Sequence, residues 1–250
     1  MKNILNDMVV GIELEVFFAP NIFALRKIGP MIPKNTIVNK ETLRKVARDY
    51  MNFFLKQRDI GEYMLRDLEE DGQNEELVLK PLDKVTLEKV LTQEILDEFK
   101  SMGYITESCV FPIGLHITFD DIPRESIARF LDFIFKYEKF FLSLTGREGL
   151  QSKLASIAYL IGDRYGLMDK ESVEKALNNA KFLIKRKEKA LVAGIRVDKS
   201  LTQLTHFSSS LKRSELLKRI FTSYILLREL GKGENLSLSD FRKILKHSLM

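Results

Sequence analysis

Several features are scarce in this chain of 250 residues, and each shortage excludes a class of protein. A single cysteine, Cys109, excludes an internal disulfide framework and a zinc site built from cysteines. No apolar run approaches the roughly 20 residues of a membrane span, and the first residues lack the apolar core of a secretory signal. We therefore expect a cytoplasmic protein with no membrane partner.

The motifs of several common enzyme classes are also missing. The sequence contains no Gly-rich phosphate loop of the Walker type and no nucleophile elbow centred on a serine. It has 40 basic and 35 acidic residues, and the resulting net charge of +5 is too small to name a partner. A basic segment at 181–189 leaves binding of a nucleic acid as a weak alternative.

The first informative segment is 11–16, in which apolar and acidic residues alternate. A strand would place its three apolar side chains on one face, and Glu13 and Glu15 on the other. Neighbouring carboxylates repel each other, and Glu is uncommon in strands. This segment therefore needs a cation above its acidic face, and a divalent metal ion is the usual one.

A second acidic segment surrounds a turn at 71–74, between expected strands at 63–69 and 76–82. If the turn centres on residues 72–73, Glu69 faces Glu76 across the hairpin and Glu70 faces Glu75. If Asp71-Gly72 forms the turn, the partner of Glu76 becomes Asp67. Both registers leave Glu76 beside another carboxylate, which costs a bare hairpin up to about 1 kcal/mol.

A third segment, 114–119, reads as a strand whose polar face carries His116 and Thr118. Carboxylates and one imidazole, all on strands, are suitable ligands for Mg²⁺ or Mn²⁺. Such ions can clamp the phosphates of a nucleotide and neutralise charge as a phosphoryl group moves.

The remaining periodicities predict an α+β protein of one domain, 1–250, with antiparallel strands because several connections are tight. A strand pair is expected at 191–197 and 201–208. The part at about 124–190 is expected to be mostly helical, and helices are expected at 40–56, 85–102, 124–146, 150–165, 170–189 and within 212–250.

Three motifs in this order resemble the amidoligases, which are related to glutamate–cysteine ligase and more distantly to glutamine synthetase. The family pattern runs Gly-x-Glu-x-Glu, then an Asp-Gly turn leading to Glu-Leu-(Val/Ile)-x-x-Pro, then Gly-(Leu/Ile)-His-(Val/Ile)-His. The chain supplies residues 11–15, 71–81 and 114–117 for these three motifs.

The resemblance implies a glutamine-synthetase-like antiparallel sheet with flanking helices, and ATP with Mg²⁺ or Mn²⁺ as cofactors. It implies that ATP phosphorylates a carboxylate and that an amine then attacks the acyl phosphate to give an amide. The substrates would be small molecules or peptides, and homo-oligomers are compatible with the family. Carried over by motif, the implied metal ligands are Glu13, Glu15, Glu69, Glu76 and His116.

The resemblance also implies cations that meet the phosphates or the substrate carboxylate. Lys80, Arg147 and Arg196 are the candidates, and the two arginines are also the candidate catalytic residues. A guanidinium suits this role because it binds carboxylates and phosphates in a bidentate way.

The chain departs from the family pattern at two places. Thr118 replaces the second histidine of the third motif, and the late Glu-x-Arg motif reads Gln203 and Thr205. Arg196 or Arg213 could compensate for the lost arginine. An alternative interpretation is therefore a degenerate amidoligase fold that serves as a binding or scaffold module.

Overall fold

A computed structural model describes most of the chain. The described residues are 4–58, 60–72, 74–106, 113–120, 122, 126, 129–130, 133, 136–146, 162–163, 194–198, 201–233 and 235–249. The protein is α+β, with strands that pair mostly antiparallel. Within these residues, no helix is long and apolar enough to cross a membrane.

The chain forms two compact units. The N-terminal unit comprises Gly11–Leu115 and Ser209–Leu217, and the C-terminal unit comprises His116–Ser208 and Lys218–Met250 together with the first ten residues.

The N-terminal unit contains the acidic segments. In it, β1 is flanked by β3, and β3 by β2, while β4 pairs with the far end of β1. The elements are β1 (Val9–Phe18), α1 (Ile22–Ile28), α2 (Lys40–Gln57), β2 (Glu69–Asp71), β3 (Asn74–Asp83), α3 (Lys84–Val90), α4 (Gln93–Ser101) and β4 (Tyr104–Ile105).

The C-terminal unit has the strand order β5-β8-β7-β6, in which β7 and β8 are antiparallel as expected, and β6 is parallel to β7. Aromatic rings fill its core: Phe141 packs edge-on against Phe130 and Phe207, and Phe133 against Phe241. The elements are β5 (Gly114–Asp120), α5 (Glu138–Thr145), β6 (Gly162–Asp163), β7 (Gly194–Asp198), β8 (Leu201–Ser208), α6 (Arg213–Gly231) and α7 (Leu238–Leu249).

Helix α2 confirms the prediction made for 40–56. The side chain of Asn39 accepts a hydrogen bond from the Thr42 N–H at 2.8 Å and so caps the first turn. Ala47, Met51 and Leu55, spaced by four residues, are its buried positions.

The expected helix at 85–102 is instead two helices. The Thr92 side chain accepts from the Ile95 N–H and caps α4, so α3 ends before it. Helix α1 is a further difference, because it is not among the helices expected from the sequence. There the Asn21 side chain accepts from the N–H groups of Phe23 and Ala24.

The expected strand at 63–69 is wrong for most of its length. Only a single bridge, Met64 to Leu79, precedes β2. The side chain of Asn52 donates to the Leu68 carbonyl at 3.1 Å and accepts from the Leu68 N–H at 2.7 Å. Because this side chain occupies both backbone groups of Leu68, the residue has no need of a ladder partner.

Several predictions fall on other parts of the chain. Residues 162–163 form strand β6, not the end of a helix. The rest of the helices expected at 150–165 and 170–189, the basic segment 181–189 and Cys109 lie outside the described residues. The two helices expected within 212–250 are confirmed as α6 and α7.

Candidate metal centre

Strand β1 has the alternation that its sequence predicts. Ile12, Leu14 and Val16 are buried, and Glu13 and Glu15 are half-buried on the opposite face. The apolar face belongs to the core of the N-terminal unit, and this fixes the orientation of the strand. The two carboxylates are therefore held on the other face, which we call the acidic face.

The hairpin of β2 and β3 adopts the first of the two expected registers. Glu69 pairs with Glu76 and Glu70 pairs with Glu75, and Asp67 is not a partner of Glu76. Gly72 has a φ of 60°, which a turn between the two strands requires and which glycine adopts without strain. Strand alternation places Glu69, Asp71, Asn74 and Glu76 together on one face.

Three carboxylates converge on the acidic face. One oxygen each from Glu15, Asp71 and Glu76 lies within 4.8 Å of the other two. Glu76 is only 5% exposed, Glu15 is half-buried and Asp71 is exposed, so the group opens to solvent at one side. The sequence predicts Asp71 only as a turn residue. No feature of its sequence context distinguishes an aspartate that forms a turn from one that also contributes a carboxylate to this group.

Glu15 is oriented by two hydrogen-bond donors. The Gly114 N–H donates to Glu15 Oε2 at 2.7 Å, and Asn74 Nδ2 donates to the same oxygen at 3.0 Å. A Cβ at Gly114 would lie 3.0 Å from Oε2, so glycine leaves the space that the carboxylate fills. The glycine of the third motif therefore has a role in positioning a residue of the first.

Asn74 brings a further oxygen to the acidic face. Its Oδ1 is buried and has no hydrogen-bond partner among the described residues, although its Nδ2 is bonded to Glu15. A buried polar atom without a partner costs free energy. An amide oxygen is also a ligand for hard divalent cations. Asn74 was not predicted as a site residue.

The electrostatic environment of Glu76 reflects this crowding. Burial raises the pKa of its carboxyl group, and the negative charges of Glu13 and Asp71 raise the pKa further. The guanidinium of Arg66 acts in the opposite direction but does not cancel the increase. The positive charge of Arg66 therefore stabilises ionised Glu76 by less than burial and the neighbouring carboxylates destabilise it.

Arg66 joins two of the predicted metal ligands. Its Nε lies 2.6 Å from Glu69 Oε1, and its Nη2 donates to Glu76 Oε2 at 2.5 Å. The side chain of Arg66 is 48% exposed. Arg66 lies before β2 and belongs to none of the three motifs, so the motifs do not point to it.

His116 is the third residue of β5 and is half-buried. It alternates with the buried Leu115 and Ile117, as predicted, and therefore shares a face of the strand with Gly114 and Thr118. Its part in binding a metal stays a prediction.

Of the three cations predicted to bind phosphate, two lie on strands of the described structure. Lys80 is exposed on β3, and its Nζ donates to the Glu62 carbonyl at 2.8 Å. Arg196 lies in β7 opposite Gln203 of β8. Arg147 lies outside the described residues.

Arg213, which sequence analysis offered as a substitute for the lost arginine, has a structural role. Its Nε donates to the Leu91 carbonyl at 2.8 Å and its Nη2 to the Glu88 carbonyl at 2.9 Å. These are carbonyls at the C-terminal end of α3, where a cation is favourable.

The opposite face of the hairpin carries a second charged group. Glu75 is fully buried, accepts from Arg44 Nε at 2.9 Å and forms a short hydrogen bond with the Tyr104 hydroxyl. Burial raises the pKa of Glu75, although Tyr104 and Arg44 both lower it. Arg44 also pairs with Glu70 at 2.8 Å, so Glu70 lies away from the acidic face.

Neither the known protein-family models nor the curated proteins give a match to this chain.

Proposed function

We propose that the protein is a carboxylate–amine ligase that depends on ATP and on Mg²⁺ or Mn²⁺. The observation that carries this proposal is the convergence of oxygens from Glu15, Asp71 and Glu76 within 4.8 Å on the acidic face. All three residues belong to the segments that match the first two amidoligase motifs. A glutamine-synthetase-like fold is part of the proposal, and the largely antiparallel strands of this α+β chain support it.

The residues present fit a hard divalent cation. The cluster offers carboxylate oxygens, and the buried Asn74 Oδ1, which has no partner among the described residues, adds an amide oxygen beside Glu15. Mg²⁺ and Mn²⁺ prefer oxygen ligands of this kind. The raised pKa of Glu76 also fits, because a bound cation would favour the ionised carboxylate.

The residues of the chain have distinct tasks in this proposal. Glu15, Asp71 and Glu76 hold the cation, while Gly114 and Asn74 keep the carboxylate of Glu15 in one orientation. When bound, the cation neutralises charge on the phosphates during transfer of the phosphoryl group. An amine then displaces phosphate from the substrate acyl group and forms the amide.

Three further residues are predicted metal ligands, and their positions in the motifs and on the strands support including them in the proposed site. One carboxylate oxygen of Glu13 lies within 4.8 Å of one of Glu76. Glu69 is the cross-strand partner of Glu76. His116 follows Gly114 by two residues on the same face of β5, and Gly114 is bonded to Glu15. We propose all three as additional ligands, for one ion or for a second.

The phosphates and the substrate carboxylate need cations. We propose Lys80, Arg147 and Arg196 for this role, with the two arginines acting in catalysis. Lys80 lies four residues after Glu76 on the same face of β3, and its present partner, a backbone carbonyl, can be exchanged for an anion.

The sequence of β8 is relevant to whether the proposed enzyme is active. Gln203 and Thr205 replace the Glu and Arg of the family motif, which favours a degenerate binding module as a second candidate. The register of β7 and β8 favours activity, because Arg196 is the direct partner of Gln203 and Gly194 that of Thr205. An arginine is thus present two residue pairs from the position of the missing one.

Release of ADP tests the proposal. With Mg²⁺, ATP and mixtures of amino acids or short peptides, we expect ADP release that requires both an amine and a carboxylate. Glu76→Gln and Glu13→Gln should reduce this rate by at least about 100-fold, because the charge that holds the cation is lost.

Glu94→Gln is the matched control, since Glu94 is a 62% exposed carboxylate of the same unit that pairs with Arg58. Full activity in both acidic-face variants would contradict the proposal. Absence of ADP release, together with binding of Mg²⁺ and ATP, would favour the degenerate binding module.

A further inference from the structure

Arg66 occupies the same carboxylate that the proposed metal site needs. Glu76 is a member of the Glu15–Asp71–Glu76 group, and its Oε2 also accepts from Arg66 Nη2 at 2.5 Å. The other side of the guanidinium lies 2.6 Å from Glu69. One arginine therefore spans the cross-strand pair of carboxylates.

The position of Arg66 follows from electrostatics. Carboxylates directly opposite each other in a hairpin repel, and a cation between them removes that repulsion. A divalent cation at Glu76 would do the same with twice the charge. Because the guanidinium and the cation would then repel each other across a short distance, both cannot hold Glu76 equally well.

The arginine can leave Glu76 when another cation replaces it there. Arg66 is 48% exposed, but the side chain of Glu76 is only 7% exposed, so its carboxylate needs a positive charge at all times. A divalent cation supplies that charge, and the other contact of Arg66, to the 50% exposed Glu69, contributes little to stability. The guanidinium fork fits a phosphate as well as it fits a carboxylate. A nucleotide phosphate that arrives with the cation would therefore offer Arg66 a new partner close to the old one.

We propose that Arg66 exchanges partners at the acidic face, an inference that rests on the proposed function. Without a cation it neutralises Glu69 and Glu76. When a divalent cation takes Glu76, Arg66 moves to the polyphosphate that the cation carries. Arg66 is thus a competitor of the free cation and a ligand of the cation–polyphosphate complex.

The test uses two probes on the full chain, Mn²⁺ alone and Mn²⁺ with inorganic tripolyphosphate. Arg66→Ala should bind Mn²⁺ about two- to fivefold more tightly than the wild type, because the competitor is gone. The same variant should bind the tripolyphosphate complex at least about tenfold more weakly, because a charge-assisted contact is lost. A purely structural role would not move the two affinities in opposite directions.

Two variants serve as controls. Arg58→Ala removes an arginine that is also 48% exposed and also lies 2.6 Å from a glutamate, Glu94, and it should change neither affinity. Arg66→Lys keeps the charge and loses the fork. It should keep the wild-type affinity for Mn²⁺ and lose affinity for tripolyphosphate.

The outcomes separate this inference from the proposed function. If the wild type binds Mn²⁺ and Arg66→Ala binds it equally or more weakly, the exchange is contradicted and the metal site stands. If tripolyphosphate binding is unchanged in Arg66→Ala, the exchange is also contradicted. If neither the wild type nor Arg66→Ala binds Mn²⁺, both proposals fail.

Discussion

Glu76 is the residue of the acidic face on which burial, neighbouring carboxylates and an ion pair all act. It is nearly buried, it lies near Glu13 and Asp71, and within the described part of the chain its one ion pair is with the half-exposed Arg66. A protein that needed only stability would fill such a position with an apolar or neutral side chain. The raised pKa of Glu76 therefore has a measurable consequence for stability.

Glu76→Gln should change how stability depends on pH. In the folded protein Glu76 keeps its proton at pH values where the unfolded chain has released it, because its folded-state pKa is raised. This contribution is complete below the ordinary Glu pKa and is lost as the pH rises through the raised value. The free energy of unfolding should thus fall less steeply with pH in Glu76→Gln than in the wild type.

Urea unfolding between pH 4 and 8 measures this difference, which amounts to about 1.4 kcal/mol for each unit by which the pKa is raised. Glu75 titrates in the same direction and remains in both proteins, so the comparison isolates Glu76. Parallel curves for the two proteins would show that Glu76 has an ordinary pKa.

Among the secondary-structure elements, the hairpin of β2 and β3 was the most predictable. Its register, with the turn centred on residues 72–73, is one of the two that the sequence allows, and turn residues are a local property of the sequence. Strand β1 was predictable for the same reason. The start of β2 was not, because Asn52, which binds the backbone of Leu68, is 16 residues away in α2.

Asn52→Ala should destabilise the segment that leads into β2. The variant leaves both backbone groups of Leu68, which is 2% exposed, without their partner. Buried unsatisfied groups cost about 1–3 kcal/mol each, and we expect a loss of this order in the free energy of unfolding. Denaturant titration checks it.

Lys45→Ala is the control on the same helix, since Lys45 is 67% exposed and its ion pair with Asp49 is exposed as well. It should change stability by less than about 0.5 kcal/mol. Equal effects of the two substitutions would mean that the Asn52 contacts do not hold the backbone of Leu68.

The candidate site was predictable in part. Glu15 and Glu76 could be recognised because each stands in a motif and on a strand face that apolar neighbours define. Asp71, Asn74 and Arg66 could not, because their roles depend on distances between residues that only the paired strands bring together.

At the scale of the whole molecule, the net charge is +5, yet negative charge is concentrated locally at the hairpin. On one face of the hairpin, Glu75 pairs with Arg44 and accepts a hydrogen bond from the Tyr104 hydroxyl. On the acidic face, Glu15, Asp71 and Glu76 lie together. The first arrangement is that of a structural ion pair, and the second is the one that we propose as a cation site.

Calorimetric titration with a non-hydrolysable ATP analogue, with and without Mg²⁺, tests the central claim most directly. We predict Mg²⁺-dependent binding to the wild type and to Glu94→Gln, and at least about tenfold weaker binding to Glu15→Gln, which keeps the shape of the side chain and loses its charge. Equal affinities of the wild type and Glu15→Gln, or no Mg²⁺-dependent binding by the wild type, would contradict the account.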